Sequence, residues 1–237
     1  MKLSKIAFAS LFVASTAFAH QFFPMKTDNG YKVGFWADDH WGQYQSDRVF
    51  GISAFDANGN RLKAGYDYLN NKIFIEGNPS VATMNYDFGY YTFTKDGKHY
   101  AFARNEITDV TGANEVTQTR KIYKLGKSIY EWNEASSKAL GLKFEIVPLE
   151  NPLVKKVGDK LKVLVLLDGK PVSGVEFEDQ NDDIDGVVTD KNGQATLTLT
   201  KPQDGLQIIA AGIKIPYNLD RYGDTLQLTA TLSFKSK

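Results

Sequence analysis

His20, His40 and His99 are the only imidazoles in the chain, and cysteine is absent. Any bound metal must be held by nitrogen or oxygen donors, or by methionine sulfur; thiolate sites and disulfide staples are excluded. His20 holds a special position. It follows Ala17-Phe18-Ala19, a small-residue cleavage pattern that closes an apolar stretch from Ile6 to Phe18, with Lys2 and Lys5 ahead of it. That is the plan of a cleavable export signal over residues 1–19. The apolar stretch is shorter than the ~20 residues of a membrane-spanning helix. Cleavage there makes His20 the first mature residue, and an N-terminal histidine offers metal two nitrogens, its free α-amine and its imidazole.

A hairpin is expected to bring further donors to this terminus. Asn29-Gly30 favours a two-residue type I′ turn, and Tyr31 to Ala37 returns as a strand. With Asn29-Gly30 as the loop, Asp28 faces Tyr31 and His20 lies opposite Asp39, beside Asp38 and His40. Pro24 confines the first segment to a sheet edge or an interrupted strand. Imidazole suits nickel, copper and zinc, and square-planar nitrogen and oxygen sets favour Ni(II) or Cu(II). A free α-amine loses its proton at about pH 7.7–8.0 and a free imidazole near about 6.5, so such a chelate forms near neutrality and weakens in mild acid. Asp38 or Asp39 could ligate directly or orient an imidazole. His99, which follows the Asp96-Gly97 turn and opens a strand expected over His99 to Arg104, is the third imidazole candidate. Met25 and Met84 are softer donors, though methionine more often fills a core.

The elements around these residues read as strands. Tyr31, Val33 and Phe35 alternate with Lys32 and Gly34; Leu161, Val163, Val165 and Leu167 repeat the pattern. Leu226, Leu228, Ala230, Leu232 and Phe234 alternate with Thr225, Gln227, Thr229, Thr231 and Ser233. Period two marks half-buried strands, and turn pairs such as Asn58-Gly59, Asp168-Gly169 and Asn192-Gly193 punctuate them. The one helical candidate is Asn133 to Leu140. An all-β chain follows, with two tandem immunoglobulin-like or prealbumin-like β-sandwiches: residues 20–141, rich in aromatics, and 142–237, where Leu, Val and Ile take over. The chain carries 28 basic and 28 acidic side chains, which leaves no basic excess to attract nucleic acid or anionic lipid.

Other constellations are weaker. Glu176, Glu178, Asp179, Asp182, Asp183 and Asp185 form an acidic run without the EF-hand glycine spacing, best read as a solvated loop. Trp36, Trp41, Tyr44, Tyr90 and Tyr91 could line a carbohydrate surface, although strand aromatics more often build core. There is no phosphate-cradling Gly-rich loop, no Gly-x-Ser-x-Gly elbow and no His-Glu-x-x-His.

The stretches Leu142-Lys-Phe-Glu-Ile-Val-Pro-Leu-Glu-Asn-Pro, Gly158-Asp-Lys-Leu, Leu167-Asp-Gly-Lys-Pro-Val-Ser-Gly, Val188-Thr-Asp-Lys-Asn-Gly-Gln-Ala and Arg221-Tyr-Gly-Asp-Thr-Leu-Gln-Leu-Thr-Ala-Thr-Leu-Ser-Phe, together with His20-Gln-Phe-Phe-Pro, resemble the exported family of nickel-uptake substrate-specific components, long grouped as a domain of unknown function. Within that family the chain looks like the periplasmic accessory component of energy-coupling-factor nickel transporters. The resemblance implies a periplasmic, non-enzymatic protein that captures Ni(II), with Co(II) as an alternative, for the membrane subunits of such a transporter; the donor chemistry adds Cu(II) as a further alternative. By motif position it implicates His20 and His40; His99, Asp38 and Asp39 are added by the reading of the residues. It also implies that the second sandwich is a scaffold or docking module. Two alternatives stand beside it: a copper-dependent polysaccharide monooxygenase-like enzyme in which His20 and a second histidine form a brace, and a metal-free adhesion-type pair of sandwiches.

Overall fold

The alternating segments form strands throughout the computed structural model, which describes residues 20–37, 39–111, 115–219 and 221–237. The expected signal, residues 1–19, and Asp38 lie outside the described residues. In chain order the elements are β1 (His20–Thr27), β2 (Gly30–Ala37), β3 (His40–Trp41), β4 (Val49–Phe55), β5 (Arg61–Leu62), β6 (Ala64–Asp67), β7 (Lys72–Ile75), β8 (Val81–Thr94), β9 (His99–Tyr100), α1 (Arg104–Thr111) and β10 (Val116–Ile129). There follow β11 (Phe144–Pro148), β12 (Lys160–Leu167), β13 (Lys170–Pro171), β14 (Glu176–Glu178), β15 (Asp183–Val188), β16 (Gln194–Thr198), β17 (Leu206–Leu219) and β18 (Gly223–Lys235). The fold is an all-β sandwich assembly.

A nine-stranded sheet is its centre, in the order β15-β14-β17-β18-β10-β8-β4-β5 with β9 beside β8. It runs straight across the expected seam at residue 141, because β10 pairs in parallel with β18 from Arg120↔Thr225 to Ile129↔Phe234. Sequence composition does change near that seam, but the two halves share one hydrogen-bonded sheet. On one of its faces Leu125, Ile129, Leu226, Leu228, Ala230, Leu232 and Phe234 pack against Phe144, Ile146, Leu161, Val163 and Leu197 of a four-stranded sheet made of β11, β12, β13 and β16.

The opposite face receives the five-stranded sheet β1-β2-β7-β6, with β3 beside β2. Its β1 meets β10 backbone first. A Cβ on Gly126 would lie 2.2 Å from the Phe22 carbonyl oxygen and 2.6 Å from Phe23 Cα. Consecutive side chains of a strand point to opposite sides, so Phe22 and Phe23 straddle this crossing. Phe22 joins Met84 and Tyr86 of β8, while Phe23 joins Trp36 and Ile208 of β17. The polar side of β18 is therefore not solvent-facing as its alternation suggests. Gln227, Thr229, Thr231 and Ser233 are all buried, and Ser128 Oγ and Ser233 Oγ bond to each other at 2.6 Å.

Three local expectations are corrected. Thr27 pairs with Gly30, so the first hairpin turns on Asp28-Asn29 rather than Asn29-Gly30. Type I′ needs positive φ at both loop residues, whereas Asn29 has none and Gly30 alone takes φ +115° as the first residue of β2. Residues 133–140 form turns, not a helix: Asn133 Oδ1 accepts from the amides of Ala135 and Ser136, and the amides of Leu140, Gly141 and Leu142 donate to the Glu145 carboxylate instead of to a preceding helical turn. The strand expected over His99 to Arg104 ends at Tyr100, and a helix begins at Arg104 and runs to Thr111. Glu106 reaches back to accept from the Ala103 amide at 2.7 Å, in the manner of a capping box, and Ile107 is buried.

Glu145 also anchors the seam. Its carboxylate meets the Lys127 ammonium at 3.0 Å, and both side chains are 1% exposed; Lys127 donates as well to the Lys138 carbonyl. Removing one partner strands a buried charge. Glu145→Ala is expected to cost about 3–5 kcal/mol in urea unfolding. Gly126→Ala should cost roughly 3 kcal/mol, because backbone atoms rather than a flexible side chain oppose the new methyl; an unchanged unfolding midpoint for Gly126→Ala would disprove the edge-on crossing.

Candidate metal-binding terminus

Register decides where the histidines go. His20 of β1 pairs with Ala37 of β2, and the same Ala37 pairs with His40 of β3 on its other side. Residues directly opposite in an antiparallel ladder point to the same face. His20, Ala37 and His40 thus form one rung of three strands, with imidazoles flanking a methyl group. Strands spaced by about 4.8 Å place the two histidine backbones on the order of 10 Å apart. The expected partner of His20 was Asp39; moving the turn by one residue moves the partner by two, which preserves the face and brings His40 into line. Asp39 falls between β2 and β3. Asp39 is exposed and holds φ +63°, a left-handed conformation that Asp tolerates better than most residues.

Aromatic rings fix the His20 side of the rung. The His20 ring stacks on Phe35 at 5.6 Å and meets Phe88 edge-on at 5.3 Å. Phe35 in turn stacks on Phe22 at 4.2 Å. Gly42 makes room for it, since a Cβ there would fall 2.6 Å from the Phe35 ring. Trp36 and Trp41 pair on the reverse face and are used structurally, Trp36 Nε1 donating to the Gln180 carbonyl and Trp41 Nε1 to Asp204 Oδ2. His99 pairs with Phe93 on the nine-stranded sheet. It reaches the terminus only through a row of rings: His99 stacks on Tyr91 at 5.9 Å, Tyr91 on Phe88 at 5.5 Å, and Phe88 touches His20. Met84 is fully buried core, and Met25 packs against the Phe23 cluster.

Among the described residues no group of three or more His, Asp or Glu side chains is arranged to hold a metal. The geometry offers instead two imidazoles on one rung, to which cleavage before His20 would add an α-amine. Such a set fits a metal that accepts three nitrogens and leaves other positions open.

Residue 21 ties this terminus to the interior, and sequence reasoning missed it. Gln21 is buried, and its Nε2 donates to Glu178 Oε1 at 2.9 Å. Glu178 belongs to the acidic run expected to be solvated; in fact Glu178 and Asp179 are buried, Asp179 taking the Thr200 hydroxyl and the Asn181 amide. Lys124 of β10, fully buried, gives its ammonium to Thr229 Oγ1 at 3.2 Å and lies 5.4 Å from the centre of the Phe88 ring. The available signal was the chain's pairing of cations in a strand (Lys121, Lys124, Lys127) with carboxylates elsewhere, which only tertiary contact can match.

Burial pushes Glu178 up to about 7, with Lys124 and the Gln21 amide drawing it partly back. Burial pulls Lys124 down to about 8, opposed by Glu178.

Residues 14–214 match the model of the family described as Domain of unknown function (DUF4198). An uncharacterized protein of Haemophilus influenzae is 27% identical over 206 residues, which cover 85% of this chain and 86% of that one.

The buried pair imposes a pH dependence. Between the ordinary carboxylate range and about pH 7 the folded chain keeps a Glu178 proton that the unfolded chain has lost, so stability falls as pH rises. Above about pH 8 the folded chain releases a Lys124 proton that the unfolded chain retains, so stability rises again. The pair therefore contributes a stability minimum between about pH 7 and 8. The double variant Lys124→Met/Glu178→Gln should flatten it, with its largest gain over wild type inside that window. Urea midpoints measured across the pH range check this; a constant difference between the two proteins would refute it.

Proposed function

The chain belongs to the DUF4198 family, and from that premise and the rung of β1, β2 and β3 we propose that it is an exported, periplasmic metal-binding protein that captures Ni(II) at its mature N-terminus. The observation that carries this reading is the shared partner: Ala37 holds His20 on one side and His40 on the other. Two imidazoles and an α-amine form a nitrogen-rich set suited to Ni(II), with Co(II) and Cu(II) as competitors. Asp39, next to His40, supplies an exposed carboxylate, and Asp38 is the second acidic candidate. His99, two rings away, serves the aromatic row in this reading. The protein has no catalytic role; it delivers cargo to the membrane subunits of an energy-coupling-factor-type nickel transporter. No helix among the described residues is long and apolar enough to cross a membrane.

The reading makes the terminus itself the ligand. Calorimetric titration of protein beginning at His20 should show one equivalent of Ni(II) bound. His20→Ala, His40→Ala and protein carrying one extra residue before His20 should each bind roughly tenfold or more weakly, and wild-type binding should fall between about pH 7.5 and 5.5 as the nitrogens take protons. Undiminished Ni(II) affinity in the extended protein would defeat the chelate. The same titration with Co(II) and Cu(II) ranks the metals.

A further inference from the structure

One rung along from His20, Ala37 and His40 stand Gln21, Trp36 and Trp41, again directly paired across β1, β2 and β3. Successive side chains of a strand point to opposite faces, so these three face away from the imidazoles. Each donates one side-chain hydrogen bond, and all three acceptors belong to the second half of the chain. Gln21 Nε2 gives to Glu178 Oε1 at 2.9 Å, Trp36 Nε1 to the Gln180 carbonyl at 2.9 Å and Trp41 Nε1 to Asp204 Oδ2 at 2.8 Å. The partners lie 157, 144 and 163 positions away, so no local pattern reveals them.

The acceptors are themselves braced. Gln180 Nε2 donates to Thr200 Oγ1 and to the Lys201 carbonyl, its Oε1 accepts from the Ile208 amide, and the Thr200 hydroxyl closes onto Asp179 Oδ2. Asp204 and Gly205 hold φ +50° and +78°, and Gln203 and Leu206 exchange both backbone hydrogen bonds around them. Positive φ at both central residues is the tight I′ turn, a rigid mount for the Asp204 carboxylate.

This clamp matters most at β3. That strand is two residues long, both exposed, and among the described residues it pairs only with β2. So short a strand has little backbone pairing to hold it. Trp41 adds an edge-on contact with Trp36 at 5.1 Å and the bond to Asp204. Pinning Trp41 on one face fixes His40, its neighbour, on the other. An imidazole already in place spares metal binding the entropic cost of ordering the strand.

Taking the nickel reading above as given, we propose that Asp204 is a positioning residue for the metal-binding terminus. It holds Trp41, and through Trp41 it keeps His40 level with His20, without touching the metal.

Calorimetric titration of Ni(II) into protein beginning at His20 tests this. Trp41→Phe keeps a ring and deletes the donor; Asp204→Gly deletes the carboxylate and accepts the left-handed backbone. Trp41 and Asp204 are both exposed, so neither change strands a buried group. Each should weaken Ni(II) binding roughly three- to tenfold, while Asp204→Asn, which keeps an acceptor oxygen, should bind as wild type does. The loss should run through His40: in a His40→Ala background neither substitution should weaken binding further. A general loosening of the fold would weaken both backgrounds alike. Wild-type affinity in Trp41→Phe and Asp204→Gly, an equal loss in the His40→Ala background, or an Asp204→Asn protein as weak as Asp204→Gly would each overturn the positioning role and leave the nickel reading standing. Failure of the wild-type protein to bind Ni(II) would overturn both.

Discussion

One backbone crossing governs this molecule. β1 lies on β10 so closely that position 126 can carry no side chain, and the Phe22 carbonyl and Phe23 Cα occupy the space a methyl group would need. Everything on that face of the central sheet is arranged about the crossing. Phe22 goes to the aromatic cluster of β8 and Phe23 to Ile208 of β17. Because the contact is between main chains, it fixes translation as well as orientation: β1 cannot slide along β10 without driving Cβ atoms into carbonyls. The position of His20, four residues before Pro24 at the head of the same strand, is inherited from this lock.

Close approach has a second consequence for the interior. β1 covers a strip of sheet whose side chains are largely polar, and that strip survives burial because its groups answer one another. Ser128 meets Ser233, Lys124 meets Thr229, Gln21 meets Glu178, and the Gln180 side chain takes the Ile208 amide while giving to Lys201 and Thr200. A hydrophobic strip would bind β1 at many registers. Directional partners bind it at one, because a buried polar atom shifted off its partner incurs the full desolvation cost. The polar layer therefore supplies positional accuracy, while the leucine-rich core on the opposite face supplies most of the hydrophobic drive.

Much of this was legible in the residues, and the misses have physical causes. Alternation located the long strands, because period two is a local property. The neighbourhood of His20 and His40 was also accessible, since one hairpin and one short link set it. The turn was displaced because Gly30 uses its positive φ to begin a strand rather than to finish a loop. The helix at Arg104–Thr111 was hidden by a short sequence whose anchors, the Arg104 ion pair with Asp224 and the Glu106 cap, lie partly across the fold. The buried state of Thr229, Thr231 and Glu178 was not legible at all. Their polarity predicts water; for Thr229 and Glu178 only the arrival of a strand more than a hundred positions away replaces that water with partners, Lys124 and Gln21, while the Thr231 hydroxyl is buried without one.

The parallel pairing of β10 with β18 also bears on how the chain is made. Hydrogen-bonded partners such as Ser128 and Ser233 stand 105 positions apart, and the pair lies in the middle of the sheet rather than at its rim. After β8 and β10 have joined, β10 keeps a bare edge until Gly223–Lys235 arrives. Such an edge is a template for the wrong neighbour, and long-range parallel closure is slow. The central sheet is closed by β18, the last of the described strands to be made, so until it arrives the middle of the sheet stays open and adhesive. Loss of that strand would split the protein through its centre instead of fraying its margin.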